Sequence, residues 1–153
     1  MLHIKPFEQR PNYCGISCLK MVLSYYGIEK SEKDIARLTG SARNGVKGEK
    51  LLSVAKSFGL DGFIKENCTI EKLKKYVIDK KIPVIVAWFK EDEGHYSLVV
   101  HIDKENIYLI DPEIGHMRAI RISKFKKVWF DYSGDYIRSK NNFSLRSMLV
   151  IHE

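Results

Sequence analysis

The chain has 153 residues and a mass of 17.8 kDa, which fits a single domain over residues 1–153, and 44% of it is hydrophobic and 29% charged. This composition can build a core and excludes a disordered tail. The net charge of +7 excludes an acidic protein and permits an anionic partner. Because the densest lysine group, residues 72–75, falls on a predicted helix, we expect a solvated face there and no nucleic-acid site.

Targeting and membrane segments are not evident. Residues 1–8 lack the apolar core of a signal peptide. The longest apolar run, residues 82–89, is far shorter than the ~20 residues of a spanning helix. The cysteines, Cys14, Cys18 and Cys68, are odd in number and form no disulfide framework. We therefore expect a cytoplasmic protein with reduced thiols and no membrane insertion.

The first half of the chain shows helical periodicity, with glycines at suitable stops. A short strand is expected over residues 60–64. Four helices are predicted, over residues 14–26, 31–39, 51–58 and 69–77.

The second half of the chain reads as strands. The continuous apolar run at 82–89 is typical of a strand buried on both faces. Further strands are predicted over residues 96–102, 107–110, 117–122 and 145–151, with a short helix over 123–128. Helices followed by antiparallel strands predict an α+β fold in which an N-terminal helical layer packs on a C-terminal antiparallel sheet.

Cys14 stands at the start of the first long helix. The unpaired N–H groups and partial positive charge of a helix N-terminus favour an anionic sulfur, and the thiolate is the nucleophilic form of cysteine. Gly15 would leave room for a substrate backbone. The Gln9 side-chain amide and the Cys14 backbone N–H could bind an oxyanion. The alternative is that Cys14 is a small buried apolar residue.

A cysteine nucleophile needs a base, and the chain has five histidines. His95 is the best placed, because it follows an acidic turn and opens a strand. His101 is the second choice, six residues further along that strand. The remaining histidines, His3, His116 and His152, are expected to be solvated.

Asp111 is the candidate to orient His95. It ends the strand after the one that carries the histidine, and the two strands should pair antiparallel. A three-residue loop at 103–105, or a bulge, would place Asp111 opposite Ser97 and diagonal to His95 on the same face. A two-residue loop would place it opposite Leu98, on the wrong face. The alternative role for Asp111 is a turn cap before Pro112.

Four segments of the sequence carry a resemblance to a known family, through their residues, their order and the spacing between them. They are Gln9, Tyr13–Leu19, Gly94–Val100 and Ile110–Pro112. From about Gln9 to Trp129, the chain resembles the bacteriocin-processing peptidase family, papain-like cysteine proteases that cleave leader peptides after a double glycine.

The resemblance implies a papain-like fold and a Cys-His-Asp triad without metal or cofactor. Cys14 would be the nucleophile, His95 the base and then the acid, Asp111 the orienter, and Gln9 an oxyanion donor. The family usually places its glutamine one position further from the cysteine, so Asn12 is a second candidate amide. The implied partners are a peptide substrate, bound through an apolar groove, and a membrane exporter in the same chain or a separate one.

Three other functions remain open. An acyl transferase would use the same triad with an amine in place of water. A peptide-binding module without catalysis would keep the fold, although such domains usually lose the cysteine or histidine. A zinc site is weakly supported, because Cys14 and Cys18 lack further ligands at a metal-binding spacing.

Overall fold

The computed structural model describes residues 1–7, 13–40, 46–91, 93–132 and 139–153. Five α-helices are present in these ranges: α1 Cys14–Tyr25, α2 Glu32–Thr39, α3 Gly48–Ser57, α4 Ile70–Lys74 and α5 Ile122–Val128. The strands are β1 Asp61–Lys65, β2 Val84–Lys90, β3 Glu93–Ile102, β4 Asn106–Asp111, β5 His116–Arg121, β6 Phe130–Tyr132, β7 Phe143–Leu145 and β8 Met148–His152. No helix within the described ranges is long and apolar enough to span a membrane.

Six strands form one antiparallel sheet in the order β1-β8-β2-β3-β4-β5, and β6 pairs with β7 in a separate ribbon. Strands β2 and β3 form a tight hairpin in which Trp88 lies opposite His95. Strand β4 then pairs with β3 on its other side. The hairpin and β4 therefore bring the candidate base and its orienter to neighbouring strands.

The sheet is covered on both faces. Helices α1, α2 and α3 pack on one face, over residues such as Ile85 and Leu98. Helices α4 and α5 cover the other face, over residues such as Val86 and Val99. Neighbouring residues of β2 and β3 point into opposite cores, so the prediction that the apolar run is buried on both faces is confirmed. The predicted α+β fold is confirmed as well.

Strand β3 is irregular, and this decides where Asp111 lies. Its pairing with β4 shifts in register between Val99 and His101. Beyond the shift, Leu98 pairs with Ile110, so that Asp111 follows at the level of Ser97. Bringing Asp111 to the same face as His95 required a three-residue loop or a bulge. The bulge is present, and Asp111 does not lie opposite Leu98.

Local chemistry explains the helix boundaries. The Ser31 hydroxyl accepts a hydrogen bond from the backbone N–H of Asp34 at 3.1 Å, which caps α2 as predicted. Gly40 ends that helix in the left-handed conformation, with φ of 62°. The fourth predicted helix is α-helical only to Lys74 and continues as a π-helical turn, Lys75–Asp79.

The closing strand predicted over 145–151 is present as β8, but it begins only at Met148. Strand β7 ends at Leu145 and β8 begins at Met148, because Arg146 has a positive φ of 47° that no strand residue adopts. Leu145 belongs to the β6–β7 ribbon, which the sequence did not predict. The ribbon is stabilised by aromatic stacking, with the rings of Phe130 and Phe143 5.8 Å apart.

Gly62 is expected to be indispensable for the β1–β8 pairing. A Cβ at this position would collide with the backbone carbonyl of Val150. We predict that Gly62→Ala lowers the free energy of unfolding by about 1–3 kcal/mol, the usual cost of overpacking. Thermal and urea unfolding would measure it. Gly48→Ala is the matched control, because its Cβ meets the mobile tip of Ile64, and equal stability of the two variants would contradict the prediction.

Candidate active site

Cys14 is the first residue of α1 and is partly exposed. The residue before it, Tyr13, occupies the N-cap but makes no side-chain hydrogen bond to the helix. The positive end of α1 is therefore not neutralised by its N-cap residue, and it lies at the sulfur of Cys14. The Cys14 side chain therefore lies beside the unpaired backbone N–H groups that open the helix.

Gly15 serves a different purpose from the one expected. A Cβ on Gly15 would come within 3.1 Å of the Tyr96 ring and 3.3 Å of Leu51. The residue therefore faces the protein interior and allows α1 to approach β3 closely. The expectation that Gly15 makes room for substrate is replaced by a packing role.

His95 and Asp111 form a short hydrogen bond. The Nε2 atom of His95 lies 2.5 Å from Oδ1 of Asp111, and both side chains are buried. Since Nε2 is engaged, Nδ1 is the ring nitrogen left to face Cys14, whose thiol also forms a hydrogen bond with the ring. The structure thus brings Cys14, His95 and Asp111 together in that order.

The electrostatics favour a protonated imidazole. Burial lowers the pKa of His95, but the hydrogen bonds and negative charges of Asp111 and Cys14 outweigh it and raise that pKa to about 9. Because the folded-state pKa lies above the ordinary value, this contribution to stability is complete below about pH 6.5. It is lost as the pH rises through about 9.

Asp111 is enclosed by donors. Its Oδ1 also accepts the backbone N–H of Glu113 at 3.0 Å. Its Oδ2 accepts from Lys90 Nζ at 3.0 Å and from Arg118 Nη1 at 3.4 Å. Burial raises the pKa of Asp111, but the bonds from His95 and Lys90 hold it well below its usual range. The buried carboxylate therefore stays ionised at neutral pH.

Trp88 packs beside the pair. Its ring meets the His95 ring edge-on, with centroids 6.0 Å apart, and its Nε1–H donates to the Ser97 hydroxyl at 2.9 Å. The guanidinium carbon of Arg118 lies 5.7 Å from the centroid of the indole. These contacts fix the plane of the imidazole and exclude water from the His95–Asp111 bond.

Gly94, next to His95, lies directly against the side chain of Asp131. A Cβ there would collide with the carboxylate of Asp131 on β6. Burial raises the pKa of Asp131. The β6–β7 ribbon thus reaches the edge of the site.

The second-choice base, His101, lies six residues along β3, about 20 Å away at the usual rise per strand residue. Its ring packs on Tyr108 with centroids 5.4 Å apart. His3 and His116 are exposed, as expected, whereas His152 is half-buried. His95 is therefore the histidine that the fold places beside Cys14.

Gln9 and Asn12, the two candidate amides for an oxyanion hole, lie outside the described residues.

The other two cysteines are buried. Burial, followed by the negative charges of Cys14 and Asp111, raises the pKa of Cys18 well above its ordinary value. The Cys68 thiol donates to the carbonyl of Lys65 at 3.4 Å, and burial raises its pKa as well. A raised pKa keeps both cysteines in the thiol form, which is a poorer nucleophile than a thiolate.

One group of side chains within the described ranges has metal-ligand character: His95, Asp111 and Glu113, whose ligand atoms lie within 4.8 Å of one another. The ammonium of Lys90 sits between the two carboxylates, 3.0 Å from each. A cation already neutralises this group, so the residues fit an ion-pair network better than a metal.

The sequence reasoning missed Lys90, Trp88, Glu113 and Arg118. Each is ordinary in its local sequence, and their convergence depends on the pairing of β2, β3, β4 and β5. The signal that could have found Trp88 is the β2–β3 hairpin, because pairing Lys90 with Glu93 sets Trp88 opposite His95.

The family model for the peptidase C39 family matches residues 6–133. The chain belongs to the peptidase C39 family. It is accordingly a cysteine peptidase, as the sequence resemblance predicted.

Among sequence relatives of this C39 peptidase, the Lactococcin-G-processing and transport ATP-binding protein LagD of Lactococcus lactis is 26% identical over 126 residues. That match covers 80% of this chain but 17% of LagD. An uncharacterized protein of Methanothermobacter marburgensis is 29% identical over 116 residues, which cover 76% of this chain and 75% of that protein.

Solved structures show the same fold. A double glycine motif protease from an AMS/PCAT transporter, crystallised with the leader peptide, superposes with a TM-score of 0.75 at 21% identity, covering 98% of this chain and 91% of that one. The peptidase domain of Streptococcus ComA gives 0.73 at 18% identity, with 97% and 98% covered. The C39 fold therefore extends over nearly the whole chain.

We predict that Asp111→Asn lowers the pKa of His95 from about 9 toward or below its ordinary value, because the variant removes the negative charge that stabilises the imidazolium. The ring nitrogens of His95, followed by NMR between pH 5 and 10, would report the change. His116→Gln serves to assign the exposed histidine. An unchanged titration of His95 would contradict the proposed electrostatic cause.

Proposed function

We propose that this peptidase cleaves a leader peptide after a double glycine or similarly small residues, with Cys14 as nucleophile, His95 as acid and base, and Asp111 as orienter. The observation that carries the proposal is the position of His95, whose Nε2 is bonded to Asp111 and whose ring is close enough to Cys14 for that side chain to raise its pKa. That is the arrangement that thiol proteases require.

Acylation follows from this geometry. The Cys14 thiolate attacks the carbonyl carbon, a C–S bond forms, and the carbonyl oxygen becomes an oxyanion. The Cys14 backbone N–H and the Gln9 amide are the proposed donors to that oxyanion. The proton on Nδ1 of His95 passes to the leaving nitrogen, the C–N bond breaks, and a thioester remains on Cys14.

In deacylation, His95 acts as a general base, whereas in acylation it acts as a general acid. The neutral imidazole takes a proton from water, the resulting hydroxide attacks the thioester carbon, and the Cys14 thiolate leaves. The products are a carboxylic acid, which releases its proton to solvent and becomes a free carboxylate, and a restored thiolate–imidazolium pair. Asp111 keeps the same hydrogen bond to Nε2 through both half-reactions and so fixes the orientation of the ring.

The substrate class is proposed from the relatives. LagD is described as processing lactococcin G and as a transport protein, and the AMS/PCAT protease is described with a double glycine motif and a leader peptide. We propose a leader peptide as substrate here and an exporter as associate, in the same chain or a separate one. A reducing, cytoplasmic location would keep the Cys14 thiol active.

Cleavage of leader peptides tests the proposal directly. We expect wild-type protein to cut a peptide that carries Gly-Gly, and Cys14→Ala to have no detectable activity, because the thioester cannot form. Cys68→Ala is the matched control, since its thiol is buried and bonded to Lys65, and it should retain activity.

Mass analysis of the products separates the alternatives. A free carboxylate after the second glycine supports hydrolysis, whereas an amide with an added amine would support the acyl transferase. Cleavage by Cys14→Ala would remove Cys14 from the mechanism. Binding without cleavage by the wild type would favour a peptide-binding module.

The oxyanion donor is tested by comparing two amides. We expect Gln9→Ala to lower kcat by about 10²–10³-fold with little change in KM, the usual effect of removing one oxyanion-hole donor. Asn12→Ala should retain most of the activity. The reverse pattern in steady-state kinetics would assign the donor to Asn12.

A further inference from the structure

Lys90 occupies an unusual position for a lysine. It ends β2, and its side chain is only 12% exposed. The Nζ atom lies 3.0 Å from Oδ2 of Asp111 and 3.0 Å from Oε2 of Glu113. One ammonium therefore bridges the carboxylate that orients His95 and a second carboxylate two residues further along the chain.

Glu113 is close enough to interfere with the triad. Its Oε2 lies 4.0 Å from Nδ1 of His95, the ring nitrogen left to face Cys14. A small rotation of the Glu113 side chain would bring its carboxylate into hydrogen-bond range of that nitrogen. A glutamate bound there would compete with the Cys14 thiol for the same proton.

We propose that Lys90 is a positioning residue of the active site, which holds the Glu113 carboxylate off the Cys14-facing nitrogen of His95 and neutralises part of the charge on Asp111. The inference rests on the proposed roles of Cys14 and His95. Lys90 acts through Asp111 and Glu113 and does not itself contact the reacting atoms.

The consequence for the reaction concerns the second half-reaction. Deacylation requires a neutral His95 that can accept a proton from water. Without Lys90, the Glu113 carboxylate would be uncompensated and the Asp111 carboxylate less compensated, and both would favour the charged imidazolium, so that neutral His95 would become scarce near pH 7. The acyl-enzyme would then accumulate. Lys90 thus limits how strongly the site holds the proton that His95 must release.

Charged groups reach the His95–Asp111 pair and its surroundings from several elements. They are Cys14 from α1, Lys90 from β2, Asp111 from β4, Glu113 from the following turn, Arg118 from β5 and Asp131 from β6 beside Gly94. Removal of Lys90 leaves Arg118 as the remaining lysine or arginine on Asp111 in the described residues, at 3.4 Å. Among the residues that the structure describes, no hydrogen bond or ion pair joins Arg118 to Glu113, so Arg118 does not replace the restraint on that carboxylate.

The test compares Lys90→Met, Lys90→Gln and Lys90→Arg with an exposed control, Lys124→Met on α5. For the two uncharged variants we expect the alkaline limb of kcat/KM to move to higher pH. If the imidazole pKa rises by about one pH unit, the neutral fraction and hence kcat at pH 7 fall about tenfold. Intact-mass spectrometry should then show accumulated acyl-enzyme, and Lys90→Arg should restore most of the rate.

The role of Glu113 is isolated by a double variant. We expect Lys90→Met combined with Glu113→Gln to be faster at pH 7 than Lys90→Met alone, with its alkaline limb nearer that of the wild type. Lys90→Gln keeps the test valid if Lys90→Met does not fold.

Two results would overturn the inference. One is a loss of thermal stability and rate that is uniform across pH, without movement of the alkaline limb. The other is a double variant no faster than Lys90→Met. NMR titration of His95 in Lys90→Gln gives a readout that does not need cleavage. If the wild type fails to cleave but the His95 titration still shifts in Lys90→Gln, the proposed function is refuted and the effect of Lys90 on His95 stands.

Discussion

The hydrogen bond between His95 and Asp111 is the contact on which the rest of the site depends, and it exists because β3 is irregular. A strand places alternate side chains on opposite faces, so a change of one residue in register would turn Asp111 away from His95. The register shift between Val99 and His101 sets Leu98 opposite Ile110. Backbone geometry several residues from the reacting atoms therefore decides whether the pair can form at all.

Burial strengthens the hydrogen bond between His95 and Asp111, but it also requires other groups to compensate the buried charge. A carboxylate removed from water needs compensating donors, and Asp111 has them from a histidine, a lysine, an arginine and a backbone amide. In the same low-dielectric surroundings, an excess of negative charge would bind the proton of His95 more tightly, which would hinder its proposed role as a base. The network around Asp111 balances these two requirements, since Lys90 and Arg118 share the carboxylate with His95.

Much of the fold and the core of the site could be predicted from the sequence. Helix signals such as Ser31 and Gly40 are local, and the positions of Cys14, His95 and Asp111 follow from a helix start and two paired strands. The network around the triad could not be predicted, because Lys90 and Arg118 meet Asp111 only after β2 and β5 take their places in the sheet. Arg146 shows the same limit, since nothing in its neighbourhood in the sequence signals the positive φ that divides the last strand from the ribbon.

The packing of Gly15 against Tyr96 has a consequence for the whole molecule. Gly15 adjoins Cys14 on the helix, and Tyr96 adjoins His95 on the strand. The separation between Cys14 and His95 is thus set by the thickness of one aromatic ring resting on a residue without a side chain. Gly15 and Tyr96 act together as a spacer, and the helix that carries Cys14 and the strand that carries His95 keep their distance as long as that ring stays in place.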